Sequence, residues 1–300
     1  MKNQSKAYIY AGFTIFFWGT SASAFKIGLK YVDYFQLLFI ATLTTIVFLF
    51  LILLYQRNLN DLKNQSKKEY GRSLLFGFLN PFLYYTILFI AYSLLPAQVA
   101  QTLNFVWPIT LVLLSIPILR QKLEIKSGIA LLLSFFGVIL ISSQGNLTNF
   151  EYSNPLGVFL ALSSAIVWAL FWLFNVRDNR NEIVKLFLNF LFAMLFIFIT
   201  TIVFSDLYSI NWQGILAGVY IGLFEMGITF VIWLKALKLA GRTDKIGNLI
   251  YLTPFCSLVF ISIVLKEKVL ITTIFGLILI VLGIFIQQMT RKRYENKDLK

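Results

Sequence analysis

Apolar runs of membrane-spanning length dominate this chain. A helix that crosses a bilayer needs about 20 mostly apolar residues. Ten such stretches follow one another, near residues 7–28, 34–55, 73–92, 95–119, 127–144, 155–175, 184–204, 213–234, 244–265 and 270–288. The links between them are short and turn-like or charged, as at Gln144–Gly145–Asn146 and Lys266–Glu267–Lys268. The longest polar stretch, Gln56 to Arg72, is expected to be a loop, and nothing remains to build a soluble domain. The spacing predicts an all-α integral membrane protein of ten transmembrane helices. Composition agrees: 59% of residues are hydrophobic and 13% charged, against about 45–50% and 25% in water-soluble domains. That balance excludes disorder, collagen-like repeats and a soluble nucleic-acid binder. The first run, Tyr8 to Leu29, is too long and too polar for a signal-peptide core, so it is expected to stay as the first helix.

Charge placement predicts the orientation. With the N-terminus inside, 22 of the 26 basic residues fall in inner segments, and only Lys26, Lys30, Lys266 and Lys268 fall outside. Basic residues collect on the cytoplasmic side of membrane proteins. The net charge of +13 is therefore an orientation signal facing the anionic lipids of the inner leaflet, with no nucleic-acid partner implied. A multi-pass protein of the cell (cytoplasmic, or inner) membrane with both termini cytoplasmic is expected. The chain has no histidine and a single cysteine, Cys256. Imidazole chemistry, Ser-His-Asp triads, His-ligated metals and intrachain disulfides are thereby removed. No GxxxxGK[ST] motif is present, which argues against direct nucleotide drive. No cofactor, no metal and no enzymatic activity are expected.

The chain also repeats itself. A shift of 146 residues lays Pro108 on Pro254, Leu119 on Leu265, Lys122 on Lys268, Leu131 on Leu277, Leu133 on Leu279 and Gly137 on Gly283. FVWPITLVLLSIPILRQK and YLTPFCSLVFISIVLKEK share one plan: an apolar helix, a proline in its first half, a basic cluster at its end. A slightly different shift lays Trp18 on Trp168. Residues 1–146 and 147–300 are read as two repeats of five helices each. An odd number of helices sends the two halves into the membrane from opposite sides. Inverted repeats of this kind mark secondary transporters whose substrate site lies near the midplane.

The segment FFWGTSASAFKIGLKYV of the first helix and the two proline-then-basic frames resemble the EamA-type branch of the drug/metabolite transporter superfamily. The resemblance covers nearly the whole chain. It implies ten helices in a five-plus-five inverted repeat, cytoplasmic termini, and a central cavity lined mainly by the first, third, fourth, sixth, eighth and ninth helices. It also implies export of amino acids and other small metabolites, and a role for Lys26. The chain departs from the family pattern in two places. The second helix reads FIATLTT and lacks the arginine common there, and Gln121 stands where an acid is usual, while Glu267 keeps the acid in the second half.

Ionisable groups inside a span are costly and usually have a use. Of 13 acidic residues, only Glu225 lies deep in a span, about midway along the eighth helix. It follows Gly214, Gly218 and Gly222 and lies eleven residues after the first of these. Eleven residues make almost three turns at 3.6 per turn, so Glu225 is expected near the glycine stripe. It either binds a substrate ammonium or coupling proton, or bonds to a neighbouring helix. Asn80–Pro81 holds the matching place in the third helix within a residue. Lys26 either snorkels to the outer interface or attracts a substrate carboxylate.

Gln101, Asn104, Pro108 and Ser115 share a narrow arc of the fourth helix, and Gly247, Asn248, Tyr251 and Pro254 share a broad face of the ninth. Polar stripes in spanning helices face protein or a water-filled path. Pro81, Pro108 and Pro254 are candidate hinges. Trp18 with Ser21, and Ser164, Trp168, Trp172 and Asn175, stack on faces of the first and sixth helices. These tryptophans either wall an aromatic pocket or pack helices, whereas Trp212 and Trp233 are expected as interfacial anchors. The leading expectation is a secondary transporter exporting a small organic metabolite, an amino acid or related compound, coupled to protons or to an exchange substrate. The alternatives are an antiporter of phosphorylated metabolites, which needs more deep basic groups than Lys26, and a membrane lipid enzyme, which needs a clustered catalytic set.

Overall fold

The computed structural model describes residues 2–119, 125–144, 154–175, 178–206, 208–239 and 249–295. The division between residues 146 and 147 lies outside the described residues, as do Gln121, Gly247 and Asn248. The described chain is helical throughout. The first repeat runs α1 (Lys2–Gly28), α2 (Tyr34–Tyr55), a short α3 (Leu59–Lys63), α4 (Lys67–Gly77) with α5 (Tyr84–Leu94), α6 (Ala97–Asn104) with α7 (Trp107–Leu119), and α8 (Ile125–Ser142). The second runs α9 (Pro155–Asn175), α10 (Glu182–Phe204), α11 (Trp212–Ile221) with α12 (Ile228–Leu239), α13 (Thr253–Phe260) and α14 (Ile271–Glu295). The polar stretch expected as loop thus holds α3 and the first turn of α4. Ser66 starts α4 through a capping box with Glu69, and Asp33 starts α2 through one with Gln36. Each box satisfies helix N–H groups that have no partner in their own helix.

Five helices are long and apolar enough to cross a membrane among the described residues: Tyr34–Tyr55, Lys67–Leu94, Pro155–Asn175, Glu182–Phe204 and Trp212–Leu237. Leu131–Ser142, Ile250–Leu265 and Ile271–Ile286 are shorter apolar helices. The outer surface presents large apolar side chains such as Val47, Leu51, Phe135, Phe159, Leu195 and Ile263. In water that surface would aggregate; in a bilayer it faces hydrocarbon. The chain is an all-helical membrane protein.

The packing is reciprocal between the repeats. α1 packs on α12 and α13, and in exchange α9 packs on α5 and α7; α2 packs on α10, and α8 on α14. Small residues permit the closest crossings. A Cβ on Gly137 would stand 2.6 Å from the Gly276 carbonyl oxygen, and one on Gly276 would stand 2.6 Å from that of Gly137.

The third helix of each repeat is broken near its middle. Between α4 and α5 the backbone widens into a π turn, Phe78–Leu83, in which Asn80 is extended (φ −150°, ψ 119°). Between α11 and α12 it does so over Gly222–Gly227. The fourth helix breaks at Phe105–Val106, just before Pro108. The corresponding helix of the second repeat changes from a 3-10 turn, Ile250–Leu252, to α13 beside Pro254. Pro81 and Pro108 lack the N–H that would continue a helical ladder, and π turns concentrate at functional places.

Candidate functional site

The π turn in the eighth span determines where Glu225 points. The glycine stripe faces α2 and the turn before it: Cβ atoms on Gly214, Gly218 and Gly222 would stand 2.2 Å from Val32 in that turn, and 2.6 Å from Ile40 and 2.4 Å from the Ala41 carbonyl oxygen in α2. Regular helical spacing puts Glu225 near that stripe. Glu225 lies inside the π turn, where the wider ladder departs from that spacing, and its carboxylate faces α1 and α5.

Glu225 is buried, and both its oxygens are bonded. The Ser21 hydroxyl of α1 donates to Oε2 at 2.6 Å, and the Tyr85 hydroxyl of α5 donates to Oε1 at 3.0 Å. Trp18 Nε1 donates to the Glu225 backbone carbonyl at 3.2 Å. The acid is therefore held between the first and third helices of one repeat and the third helix of the other. A carboxylate offers about four acceptor positions, and these bonds use two of them.

Hydrogen bonds and rings extend the site to two further helices. Tyr84, whose ring lies 4.7 Å from that of Tyr85, donates to Asn104 Oδ1 at 3.3 Å, and Asn104 Nδ2 donates to Ser164 Oγ at 2.8 Å. Trp168 lies 4.6 Å from the Tyr84 ring, 5.8 Å from Trp172 and 5.9 Å from Phe230. Trp18 lies 6.0 Å from Phe230 and 5.9 Å from Trp233. Trp233 is thus a buried wall of the site, which corrects its expected role as an interfacial anchor; Trp212 is exposed. Glu225, Asn104 and the four tryptophans Trp18, Trp168, Trp172 and Trp233 thus belong to one connected network of hydrogen bonds and ring contacts.

The other candidates lie around this centre. Lys26 is half-buried and donates to the Tyr92 backbone carbonyl at 2.6 Å, while the Tyr92 hydroxyl donates to Gln101 Oε1 at 2.6 Å. Asn80 is buried beside Pro81, and neither of its side-chain polar atoms has a hydrogen-bond partner among the described residues. Tyr251 is buried, with its ring 6.2 Å from Phe105 and 5.6 Å from Phe285. Asn248 and the side chain of Ser115 lie outside the described residues. A groove of about 320 Å³ lined by Leu43, Thr44, Val47, Phe48, Leu51 and Leu223 is apolar and includes none of the groups that bond the carboxylate. Among the described residues no group of three or more His, Cys, Asp or Glu could hold a metal ion.

Sequence reasoning passes over Tyr84, Tyr85 and Phe230. A usable signal is present for the first two: paired tyrosines soon after a proline break, whose hydroxyls need partners inside a bilayer.

The EamA-like transporter family matches residues 5–143 and again residues 155–287. The chain belongs to the EamA-like transporter family. Two EamA repeats account for the reciprocal packing, and membership makes the chain a membrane transporter for a small molecule, outside the enzymes. It is 26% identical over 285 residues to the uncharacterized transporter YvbV of Bacillus subtilis (strain 168), covering 94% of this chain and 91% of the relative. It is 29% identical over 208 residues to an uncharacterized transporter in the sor 3′ region of Acidianus ambivalens, covering 68% of this chain and 79% of the relative. A solved crystal structure shares the fold, with a TM-score of 0.67 at 21% identity over 97% of this chain and 99% of that one.

Proposed function

We propose that this EamA-family chain is a secondary transporter that exports a small organic metabolite, an amino acid or related compound, by alternating access. One observation carries the reading. The single acid deep in the spans is buried at the junction of both repeats, bonded by Ser21 and Tyr85 through its carboxylate and by Trp18 through its backbone carbonyl. Glu225 takes the substrate ammonium or the coupling proton on its carboxylate. Tyr85 and Ser21 orient it, and Asn104, Gln101, Trp18, Trp168 and Trp172 shape the space around it. Asn80, Asn248 and Tyr251 contribute polar groups from the third and ninth helices, and Lys26 attracts a substrate carboxylate at the entrance. Residues 1–146 and 147–300 are the two halves that rock, and the breaks at Pro81, Pro108 and Pro254 are their hinges.

The placement of 22 basic residues on one side supports a cell-membrane orientation with both termini in the cytoplasm, against an anionic inner leaflet. Energy comes from a proton gradient or from exchange. The test is uptake and efflux in reconstituted vesicles with a panel of amino acids and related amines, with and without a pH gradient. Saturable movement of at least one compound is expected. Failure of every compound under both conditions overturns the reading.

A further inference from the structure

The end of the bundle that carries Lys26 and Lys30 is closed by a clasp between the two repeats. Glu267 belongs to the loop between the π turn Ile261–Leu265 and α14. Its Oε1 accepts from the Ala97 N–H at 3.1 Å and its Oε2 from the Gln98 N–H at 3.4 Å. These are the first two N–H groups of α6, which have no partner in their own helix, and a negative charge is favoured there. Gln98 returns the contact: its Nε2 donates to the Lys268 carbonyl at 2.9 Å, and its Oε1 accepts from the Leu270 N–H at 3.0 Å and the Thr273 hydroxyl at 3.1 Å. All five bonds run from the first repeat to the second. Lys266, at the start of the loop, is held in the left-handed region (φ 57°, ψ 25°), where a non-glycine residue sits at a cost.

The clasp is tied to the site. α6 carries Gln98 at one end and Asn104 at the other, and it ends at the break before Pro108. Lys26 fixes α1 to the last turn of α5 at the same end, through the Tyr92 carbonyl. Displacing the N-terminus of α6 therefore moves the partners of Tyr84 and Tyr92.

We propose that Glu267 and Gln98 are the latch of one gate: access to Glu225 from the Lys26 end requires the Glu267 carboxylate to leave the N-terminus of α6. With the clasp in place the protein is closed at the Lys26 end, the outer end in the proposed orientation. The inference rests on the alternating-access reading, but its test needs no substrate.

Cysteines replace the exposed Ser93 and Lys268 in a Cys256→Ser background, both are spin-labelled, and the distance between them is measured by pulsed electron resonance in reconstituted full-length protein. One short distance is expected for the parent. Glu267→Gln, which keeps the size and removes the charge, is expected to raise the population at longer distances about tenfold, the effect of losing about 1.4 kcal/mol of charge-assisted bonding. Gln98→Ala is expected to act in the same direction, and Lys30→Gln, at the same end but outside the clasp, to change nothing. Thermal melts establish that each variant is folded. An unchanged distance distribution in both folded clasp variants overturns the proposal. A longer distance in the variants together with failure of every substrate overturns the transport reading and leaves the latch standing.

Discussion

Gly77 and Gly222 offer the sharpest test of how the two repeats fit together. Gly77 immediately precedes the π turn of the third span and Gly222 opens that of the eighth, and each lies against a helix of the opposite repeat. A Cβ on Gly77 would stand 2.2 Å from the Asn189 carbonyl oxygen and 3.0 Å from the Ala193 nitrogen; one on Gly222 would stand 2.4 Å from the Ala41 carbonyl oxygen and 2.7 Å from Thr44 Cβ. Ordinary contact begins near 3.4 Å, so α10 or α2 would have to move by about 1 Å. The first obstacle in each case is backbone, which no rotamer change relieves. Overpacking of this kind costs about 1–3 kcal/mol, more than the roughly 0.5–1 kcal/mol that replacing a helical glycine returns. Gly77→Ala and Gly222→Ala are therefore expected to melt below the parent in detergent. Gly12 and Gly71 are the controls: a Cβ on either meets nothing within 4 Å, so their alanine variants are expected to melt at or slightly above the parent. If Gly77→Ala and Gly222→Ala melt with the controls, the close crossing of the repeats at the π turns is wrong.

The same geometry sets other outcomes. Removing either hydroxyl that bonds Glu225, by Ser21→Ala or Tyr85→Phe, is expected to lower transport of the identified substrate about tenfold, since a bond to a charged group contributes about 1.5–3 kcal/mol; unchanged initial rates would count against the site. Trp233→Ala is expected to cost about 3–5 kcal/mol in a denaturation series, as for a buried aromatic, whereas an interfacial anchor would cost far less. Arg180 and Asp178 form a 2.6 Å ion pair with side chains 6% and 2% exposed, and Arg180→Ala is expected to cost about 3–5 kcal/mol by stranding the buried carboxylate. Burial pushes the Asp178 carboxyl up, but the hydrogen bonds and charge of Arg180 outweigh it and hold it below the ordinary 3.8. Its stabilisation is therefore complete at neutral pH and lost as the pH falls through the folded value. The parent is expected to show a melting step below pH 3.8 that Asp178→Asn lacks.

The ten apolar runs, the repeat and the family were legible because membrane spans are long, uniform and punctuated by charge. The placement of Glu225 at a junction of helices was legible for the same reason: one acid in a span stands out. Its direction was not. Spacing at 3.6 residues per turn puts it near Gly214, Gly218 and Gly222, and a π turn of six residues, Gly222–Gly227, turns it toward Ser21 and Tyr85. A local widening of the ladder leaves no mark in hydrophobic periodicity. Trp233 is misplaced by sequence for a related reason. Position along a span suggests an anchor, whereas burial depends on which helix packs beside it, and here that helix is α1. The connection between α9 and α10 shows the same limit: Asp178 lies outside the apolar runs, yet it is buried and paired with Arg180.

The proposed transport cycle turns on Glu225 binding the transported compound or its coupling proton. Flux of an identified substrate in reconstituted vesicles decides it, measured for the parent and for Glu225→Gln at matched protein incorporation, with and without a pH gradient. Glu225→Gln is expected to insert and fold like the parent but to lose substrate flux or its response to the gradient. Full flux with an unchanged response to the gradient in Glu225→Gln would refute the role given to this acid.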